Sequence, residues 1–157
     1  MFARDVDTKE IGCFILHLDS PGISRQAIKH KMPLRPVQNM QLYFQNVKIP
    51  ANRKLPGVKG FKSVAKLLAE SRMGVAWVAA GIGLGVYDFM MRYLKSRTQF
   101  NRNLTAYQLI QDKIVKVMTK VQASVLICWQ AQNLMVQGKA TIGKLAFSKA
   151  SATKLVR

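Results

Sequence analysis

Residues 97–108 form a turn between two long segments in which apolar residues recur at helical spacing. This turn contains the most specific motif of the sequence, which is formed by Arg97, Phe100, Leu104 and Gln108. Arg97 carries a guanidinium, which can donate two parallel, charge-assisted hydrogen bonds to a phosphate. Gln108 falls in the first turn of the second predicted helix, and the amino terminus of a helix favours anions. This turn is therefore a candidate anion-binding site.

A purely structural interpretation of the same turn stays open. Thr105-x-x-Gln108 matches a capping box, in which the two side chains satisfy free backbone N–H groups at the start of a helix. Phe100 would then pack the turn against the core. The residue types alone favour this interpretation over a ligand site.

Residues capable of other chemistry form no recognisable site. His17 and His30 have no Cys, Asp or Glu at metal-ligand spacing, so we predict no metal site. The serines form no His–Asp arrangement that the sequence reveals, so we predict no catalytic residue. The glycines at 81–85 alternate inside a predicted helix and do not follow a strand, which excludes a phosphate loop. Cys13 and Cys128 lie far apart in apolar surroundings, which favours two buried free thiols in a reducing compartment over a disulfide.

Three predicted helices position the turn. The first runs from Phe61 to the turn, the second from about Thr105 to about Gln137, and the third starts near Thr141. Gly138 is a predicted carboxyl cap. The expected core-facing residues of the first helix are Val64, Leu67, Leu68, Val75, Val78, Ile82, Val86, Phe89, Met90 and Leu94. Short connections predict an antiparallel bundle with one unfilled side.

The first 60 residues have a different pattern. Residues 11–18 and 40–49 are predicted strands, residues 23–36 are expected to be irregular, and residues 51–60 form a loop. The fold class is therefore α+β, with a few strands followed by three long helices. Two strands are not stable alone, so we expect this part to need strand partners.

The uncharged segment 73–87 raises a transmembrane alternative. Its 15 residues fall short of the roughly 18–20 that span a bilayer, and Glu70, Arg72, Asp88 and Arg92 bracket it closely. The sequence favours no membrane span and a buried bundle helix, whose glycines let a neighbour come close.

Charge supports a second class of function. The chain has 25 basic and 7 acidic residues, a net charge of +18, which would attract nucleic acid, an anionic membrane or a phosphate-rich ligand. The basic residues form no block with interleaved aromatics, so no specific nucleic-acid interaction is predicted. A basic binding module remains the alternative function. The first residues do not resemble a signal peptide, and Lys-Leu-Val-Arg is not a peroxisomal address.

Several motifs in order resemble the acyl-CoA dehydrogenase and oxidase family. They include Leu68–Trp77, the segment from Gly81 to Asp88, and Arg97-x-x-Phe-x-x-x-Leu-x-x-x-Gln108. The amino-terminal half agrees at Phe14-Ile-Leu, Pro21-Gly22, Leu34-Arg35 and Leu55-Pro56-Gly57-Val58. Within the family, the resemblance is to the short-chain acyl-CoA oxidase of plant peroxisomes, with glutaryl-CoA dehydrogenase next.

The resemblance implies a domain organisation and two ligands. Residues 1–60 would be the later part of a central β-domain, and residues 61–157 the first three helices of a carboxyl-terminal bundle. In such enzymes Arg97, Phe100 and Gln108 would contact the pyrophosphate and adenosine part of FAD held by a neighbouring subunit. Arg72 would line the acyl-CoA site or brace the helix start. Asn101 replaces a family glycine, and asparagine is the next best tolerated residue if that position needs a positive φ.

The resemblance also implies a truncated protein. The family's catalytic glutamate lies beyond residue 157 in the close relatives, or directly before the arginine that matches Arg72, where this chain has Ser71. Glu70 is one step off, about 100° around a helix. We therefore expect little or no α,β-desaturation of short-chain acyl-CoA by this chain alone. The resemblance implies a peroxisomal location, with the cytoplasm as the alternative. It also implies that the chain would self-associate or dock on a full-length relative.

Overall fold

The computed structural model describes residues 1–58 and 60–156, and it divides the chain into two compact units at residues 64 and 65. The first unit contains two antiparallel strand pairs. β1 (Phe2–Arg4) pairs with β2 (Ile11–Cys13), and β3 (Ile23–Ala27) pairs with β4 (Met40–Phe44). A short 3₁₀ helix follows at Ala51–Arg53.

Two hydrogen bonds in the β1–β2 turn and one glycine before β3 fix the backbone of the first unit. Asp5 Oδ1 accepts from the backbone N–H groups of Asp7 and Thr8 in the β1–β2 turn, and these bonds lower the pKa of the Asp5 carboxyl. Gly22 precedes β3 with φ +87°, and a Cβ there would lie 2.2 Å from the Gln45 backbone oxygen. Only glycine fits that position.

The loop between β3 and β4 is organised by one lysine. Lys31 Nζ donates to the carbonyl oxygens of Leu34 and Val37 and to the Asn39 side-chain oxygen. No signal in the sequence pointed to this role.

The strand predictions for this unit were partly wrong. β2 and β4 are shorter than predicted, and β3 lies in a segment expected to be irregular. After β2 the chain continues beside residues 53–55, because Leu55 N–H donates to the Cys13 oxygen (2.8 Å) and Ile15 N–H to the Arg53 oxygen (2.9 Å). Among the described residues before 59, only Gly12 and Cys13 are buried. Each sheet has two strands, and the unit has almost no core of its own.

The second unit is built from three helices. α1 (Gly60–Ser96) begins in the first unit, and α2 (Gln108–Val136) and α3 (Ile142–Leu155) follow it. These bounds confirm the three predicted helices, and together with the strands they confirm the α+β fold class.

Two caps end α2 and begin α3. Lys139 N–H donates to the Leu134 oxygen (2.8 Å) and Gly138 N–H to the Met135 oxygen (3.0 Å), while Gly138 has φ +67°. This is a Schellman motif, and it confirms Gly138 as the carboxyl cap of α2. The Thr141 hydroxyl accepts from Lys144 N–H at the start of α3.

The core of the helical unit consists mainly of small side chains. Its buried residues are Ala69, Met73, Ala76, Ala79, Ala80, Cys128, Ala131, Leu145 and Ala152. Small residues let helix backbones approach closely. The predicted α1 stripe was mostly wrong, because Val78, Ile82, Val86 and Phe89 are exposed and the alanine face is buried instead. Gly83 alone of the described α1 glycines meets neighbouring helices, at Val121 and Val156.

α1 is long and apolar enough, by length and composition, to cross a membrane. An 18-residue window with a mean hydropathy of 1.4 meets that requirement, although the uncharged run is shorter, and 28% of the window is buried within the protein. Core helices of water-soluble proteins meet the same requirement, so α1 is weak evidence for a span.

Candidate functional site

The segment between α1 and α2 is a tight β-hairpin. β5 (Thr98–Gln99) pairs antiparallel with β6 (Arg102–Asn103), so Phe100 and Asn101 are the two residues of the loop. Their φ angles are +49° and +59°. Two positive φ angles define a type I′ turn, whose twist matches that of the strands it joins.

The resemblance left open whether the position of Asn101 requires a positive φ. In the structure its φ is positive. Asparagine tolerates this backbone region, whereas an aromatic residue such as Phe100 rarely adopts it. The unfavourable member of the loop is thus Phe100.

Four hydrogen bonds close the hairpin and connect it to the end of α1 and the start of α2. Arg97 N–H donates to the Tyr93 oxygen and Leu104 N–H to the Arg97 oxygen, both at 2.9 Å. Thr98 Oγ1 donates to the Asn103 side-chain oxygen (3.0 Å), and the Tyr107 hydroxyl donates to the Gln99 oxygen (2.8 Å). The role of Tyr107 could not be predicted from the sequence, because no local periodicity predicts a hydrogen bond across eight residues. The turn is a defined scaffold and not a loose connection.

Phe100 projects from the hairpin tip into solvent, where it is 89% exposed. The structural interpretation in which Phe100 packs the turn against the core is therefore wrong. The reason is geometric, because a two-residue loop lies at the far end of a hairpin that leads away from the bundle. Arg97 is also exposed, and its guanidinium makes no hydrogen bond or ion pair within residues 1–58 and 60–156.

The predicted capping box is also wrong. Thr105 lies in a 3₁₀ helix, Leu104–Ala106, and α2 has Tyr107 at its N-cap without a side-chain cap hydrogen bond. Gln108 is the first residue of α2 and its side chain is exposed. The amino end of α2, with the free N–H groups that every helix has there, thus lies beside the hairpin.

The charge around the hairpin is positive. Arg97 and Arg102 flank the loop, and the nearest acidic residues in sequence are already paired. Asp88 accepts from Arg92 on α1, which lowers the pKa of the Asp88 carboxyl, and Asp112 accepts from Lys116 on α2 at 2.6 Å. An anion at the hairpin would meet unopposed positive charge.

Arg72 does not join this group. It is partly buried in α1, and at about 1.5 Å rise per residue it lies roughly 36 Å along the helix from Ser96. Its neighbour Ser71 donates to the Leu68 oxygen (3.0 Å), and Glu70 is exposed without an ion pair among the described residues. The structure thus places Arg97, Phe100 and Gln108 at the start, tip and end of the connection between α1 and α2, and it separates Arg72 from them.

The remaining candidates form no centre. Within the described residues no group of three His, Cys, Asp or Glu side chains can hold a metal ion. Cys13 and Cys128 are free and buried, as predicted, and burial raises the pKa of the Cys128 thiol.

Known proteins match this chain over almost its full length. The sequence profile of the acyl-CoA dehydrogenase C-terminal domain matches residues 58–157. The caffeyl-CoA reductase–Etf complex subunit CarC of Acetobacterium woodii is 32% identical over 149 residues, which are 94% of this chain and 39% of that protein.

Solved structures give the same result. Butyryl-CoA dehydrogenase from Megasphaera elsdenii is 31% identical with a TM-score of 0.87, over 98% of this chain and 41% of that one. A glutaryl-CoA dehydrogenase from Mycobacterium smegmatis in complex with FADH2 has a TM-score of 0.93 at 24% identity, over 99% of this chain and 40% of that one, a likeness of fold. The chain spans about two fifths of the length of these relatives.

Proposed function

The chain belongs to the acyl-CoA dehydrogenase family, and from this premise we propose that it forms part of a FAD-dependent enzyme that desaturates short-chain acyl-CoA thioesters. Residues 1–60 would contribute the later part of the central β-domain, and residues 61–157 would contribute three helices of the carboxyl-terminal bundle. The observation that carries the proposal is the hydrogen-bonded, basic hairpin between α1 and α2, which presents Arg97 and Phe100 beside the start of α2.

The hairpin residues fit the pyrophosphate and adenosine part of FAD. Arg97 has an exposed guanidinium that the described part of the chain does not engage, so it can donate to phosphate oxygens. Gln108 and the amino end of α2 add amide donors in a favourable dipole. Phe100 adds an exposed apolar surface at the tip. The flavin, when bound, would accept the hydride of the desaturation.

Arg72 is proposed to serve the acyl-CoA ligand or to brace the start of α1. Its separation from the hairpin, roughly 36 Å along α1, suits a protein in which cofactor and thioester contacts lie at different ends of one helix. Ser71 stands where some family members carry the base, and a serine hydroxyl does not ionise near neutral pH. We therefore expect little or no turnover from this chain alone.

Two more specific proposals concern the electron acceptor of the enzyme and its cellular compartment. The sequence resemblance favours an oxidase, which passes electrons to oxygen, in the peroxisome, with the cytoplasm as the alternative location. The name of the CarC relative places that protein in a complex with Etf, which would make a flavoprotein partner the acceptor. Reoxidation of the reduced enzyme by dissolved oxygen, compared with reoxidation by an electron-transfer flavoprotein, distinguishes these two acceptors.

The cofactor contact is tested by titrating the ¹⁵N-labelled chain with ADP, which carries the adenosine and pyrophosphate of FAD. We expect saturable amide shifts that centre on residues 97–108. Arg97→Ala should weaken binding about ten- to hundredfold, because it removes a charge-assisted contact of about 1.5–3 kcal/mol.

Lys95→Gln is the matched control, since it removes one exposed positive charge two residues away and should change ADP affinity little. Shifts that avoid the hairpin, or equal losses in both variants, would refute the cofactor contact. A second titration with butyryl-CoA and FAD, followed by assay for the enoyl product, tests the expected lack of turnover.

A further inference from the structure

The β5–β6 hairpin has two faces with different side chains. β5 and β6 pair Thr98 with Asn103, and the next pair toward the tip is Gln99 with Arg102. Directly opposite residues of an antiparallel pair project to the same face, and successive residues alternate between faces. The hydrogen bond from Thr98 Oγ1 to the Asn103 side-chain oxygen (3.0 Å) shows that this pair shares one face. Arg102 therefore lies on the opposite face, together with Gln99.

Arg97 shares the face of Arg102. The ladder continues one residue beyond β5, because Leu104 N–H donates to the Arg97 oxygen (2.9 Å). Arg97 is two residues before Gln99, so alternation places both side chains on the same face. Arg97 and Arg102 are then diagonal neighbours across the hairpin, roughly 7–8 Å apart, which long side chains can bridge. We call this surface the arginine face, and it consists of Arg97, Gln99 and Arg102.

Nothing in the described chain neutralises the arginine face. Both arginines are exposed, and neither guanidinium makes a hydrogen bond or an ion pair with another described residue. Residues 89–111 contain no Asp or Glu. Two like charges at this separation repel each other in the isolated chain. A ligand with two linked phosphates would remove this repulsion, because each planar guanidinium can donate two parallel hydrogen bonds to one phosphate.

We propose that Arg102 is a second pyrophosphate contact, which makes the arginine face a clamp selective for a diphosphate over a monophosphate. Arg97 binds one phosphate of the pair and Arg102 binds the other. The Tyr107 hydroxyl donates to the Gln99 oxygen (2.8 Å), so a hydrogen bond connects this face to the start of α2. The inference rests on the proposed function, since it gives the same cofactor site a preference for the diphosphate of FAD over a flavin with a single phosphate.

The test compares inorganic pyrophosphate with inorganic phosphate as probes of the ¹⁵N-labelled full chain. Ionic strength is held constant, because salt screens such contacts. We expect pyrophosphate to shift the amides of residues 97–104 saturably. Arg102→Gln should weaken pyrophosphate binding about tenfold, because it removes one charge-assisted contact. It should weaken phosphate binding less than about twofold, because one arginine suffices for one phosphate and the remaining effect of the charge is screened.

Two further variants separate a specific contact from general attraction. Arg102→Lys keeps the charge but removes the planar fork, so it should restore only part of the lost affinity. Lys113→Gln is the matched control, since it removes one exposed positive charge from α2 and should leave both affinities unchanged. The backbone ladder does not involve the Arg102 side chain, so the amide spectra of the unliganded variants should show that the hairpin persists.

Three results would overturn the clamp. One is an equal loss of pyrophosphate and phosphate affinity in Arg102→Gln, and another is a matching loss in Lys113→Gln, because both describe diffuse attraction only. The third is pyrophosphate that shifts no amide of the hairpin.

A titration with ADP separates this inference from the proposed function. ADP that binds through Arg97 but is insensitive to Arg102→Gln would support the cofactor contact and overturn the clamp. Pyrophosphate binding that needs both arginines, with no added affinity for ADP and no shift at Phe100, would support the clamp. That second result would refute the contact with the adenosine part of FAD.

Discussion

Phe100 occupies a backbone region that L-amino acids with large side chains avoid, and it gains no burial in return. A left-handed conformation costs such a residue about 1–2 kcal/mol. Strain of this kind persists where it serves something besides the fold. In this chain that purpose is the proposed contact with the adenosine part of FAD, because the aromatic ring touches no core.

Replacing Phe100 by a residue suited to the turn should stabilise the chain. We expect Phe100→Asn to raise the free energy of unfolding by about 0.5–1 kcal/mol, because asparagine tolerates a positive φ and no buried surface is lost. Urea denaturation followed by circular dichroism measures the change. The same variant should weaken ADP binding, as stability gained at a functional position commonly reduces function.

The control lies at the next position. Asn101→Val should lower the free energy of unfolding by about 1 kcal/mol or more, because a β-branched residue is a genuine outlier at positive φ. If Phe100→Asn lowers stability instead, the ring contributes to folding and the argument from strain fails.

At the scale of elements, the sequence located the three helices but not the buried face of α1. Periodicity shows which faces of α1 are apolar, and two faces satisfy it: the buried alanine face and the exposed face that carries Val78, Ile82 and Val86. Which face is buried depends on how closely α2 and α3 approach, and only the assembled bundle decides that. β3 was missed for a related reason, since Ile-Ser-Arg-Gln-Ala has little apolar alternation and becomes a strand through pairing with β4.

The hairpin is a second feature that the sequence pattern did not predict. Phe100-Asn101 lacks the usual Asn-Gly signal of a type I′ turn, so its strands were not predicted. The tolerance of a positive φ at Asn101 was foreseen, because it follows from residue type alone. The role of Arg97, Phe100 and Gln108 in binding FAD stays a prediction from the resemblance. The support of the hairpin by Tyr107 was visible only in the structure.

Gly83 decides how closely α1 approaches the other helices. A Cβ at this position would lie 2.7 Å from Val156 Cγ1 and 3.3 Å from Val121 Cγ2. We expect Gly83→Ala to lower the free energy of unfolding by about 1–2 kcal/mol, because overpacking outweighs the gain in helix propensity. Thermal and urea unfolding measure this change.

Gly81 provides the matched control, since a Cβ there meets nothing within 4 Å. Gly81→Ala should raise the free energy of unfolding by up to about 1 kcal/mol through helix propensity. Combining Gly83→Ala with Val156→Ala should recover part of the loss, as expected for residues in contact. Equal effects of the two single variants would show that α1 does not approach α2 and α3 as described.

At the scale of the whole molecule, the dominant feature is charge that the chain does not balance. Asp19, Asp88 and Asp112 are each paired with one basic residue, all at exposed positions. Such pairs contribute little to stability. Most of the 25 basic residues therefore repel one another, which disfavours the compact state until salt or an acidic partner screens them.

This repulsion predicts that salt stabilises the isolated chain. Raising NaCl from about 0.01 M to about 1 M shortens the Debye length from roughly 30 Å to roughly 3 Å. We expect the midpoint of thermal unfolding to rise by several degrees, since about 1 kcal/mol corresponds to about 2–4 °C for a chain of this size. Scanning calorimetry across this salt series measures the shift.

Removing charge should imitate the salt. Lys113→Gln, Lys120→Gln and Lys149→Gln alter exposed side chains of α2 and α3, so they should raise the midpoint at low salt and leave it nearly unchanged at high salt. The contradicting result is a midpoint of thermal unfolding that stays constant across the NaCl series in the unsubstituted chain and in the variant with three lysines replaced. That result would mean that the positive charges are too dispersed to interact. In that case charge would not disfavour the compact state of the isolated chain.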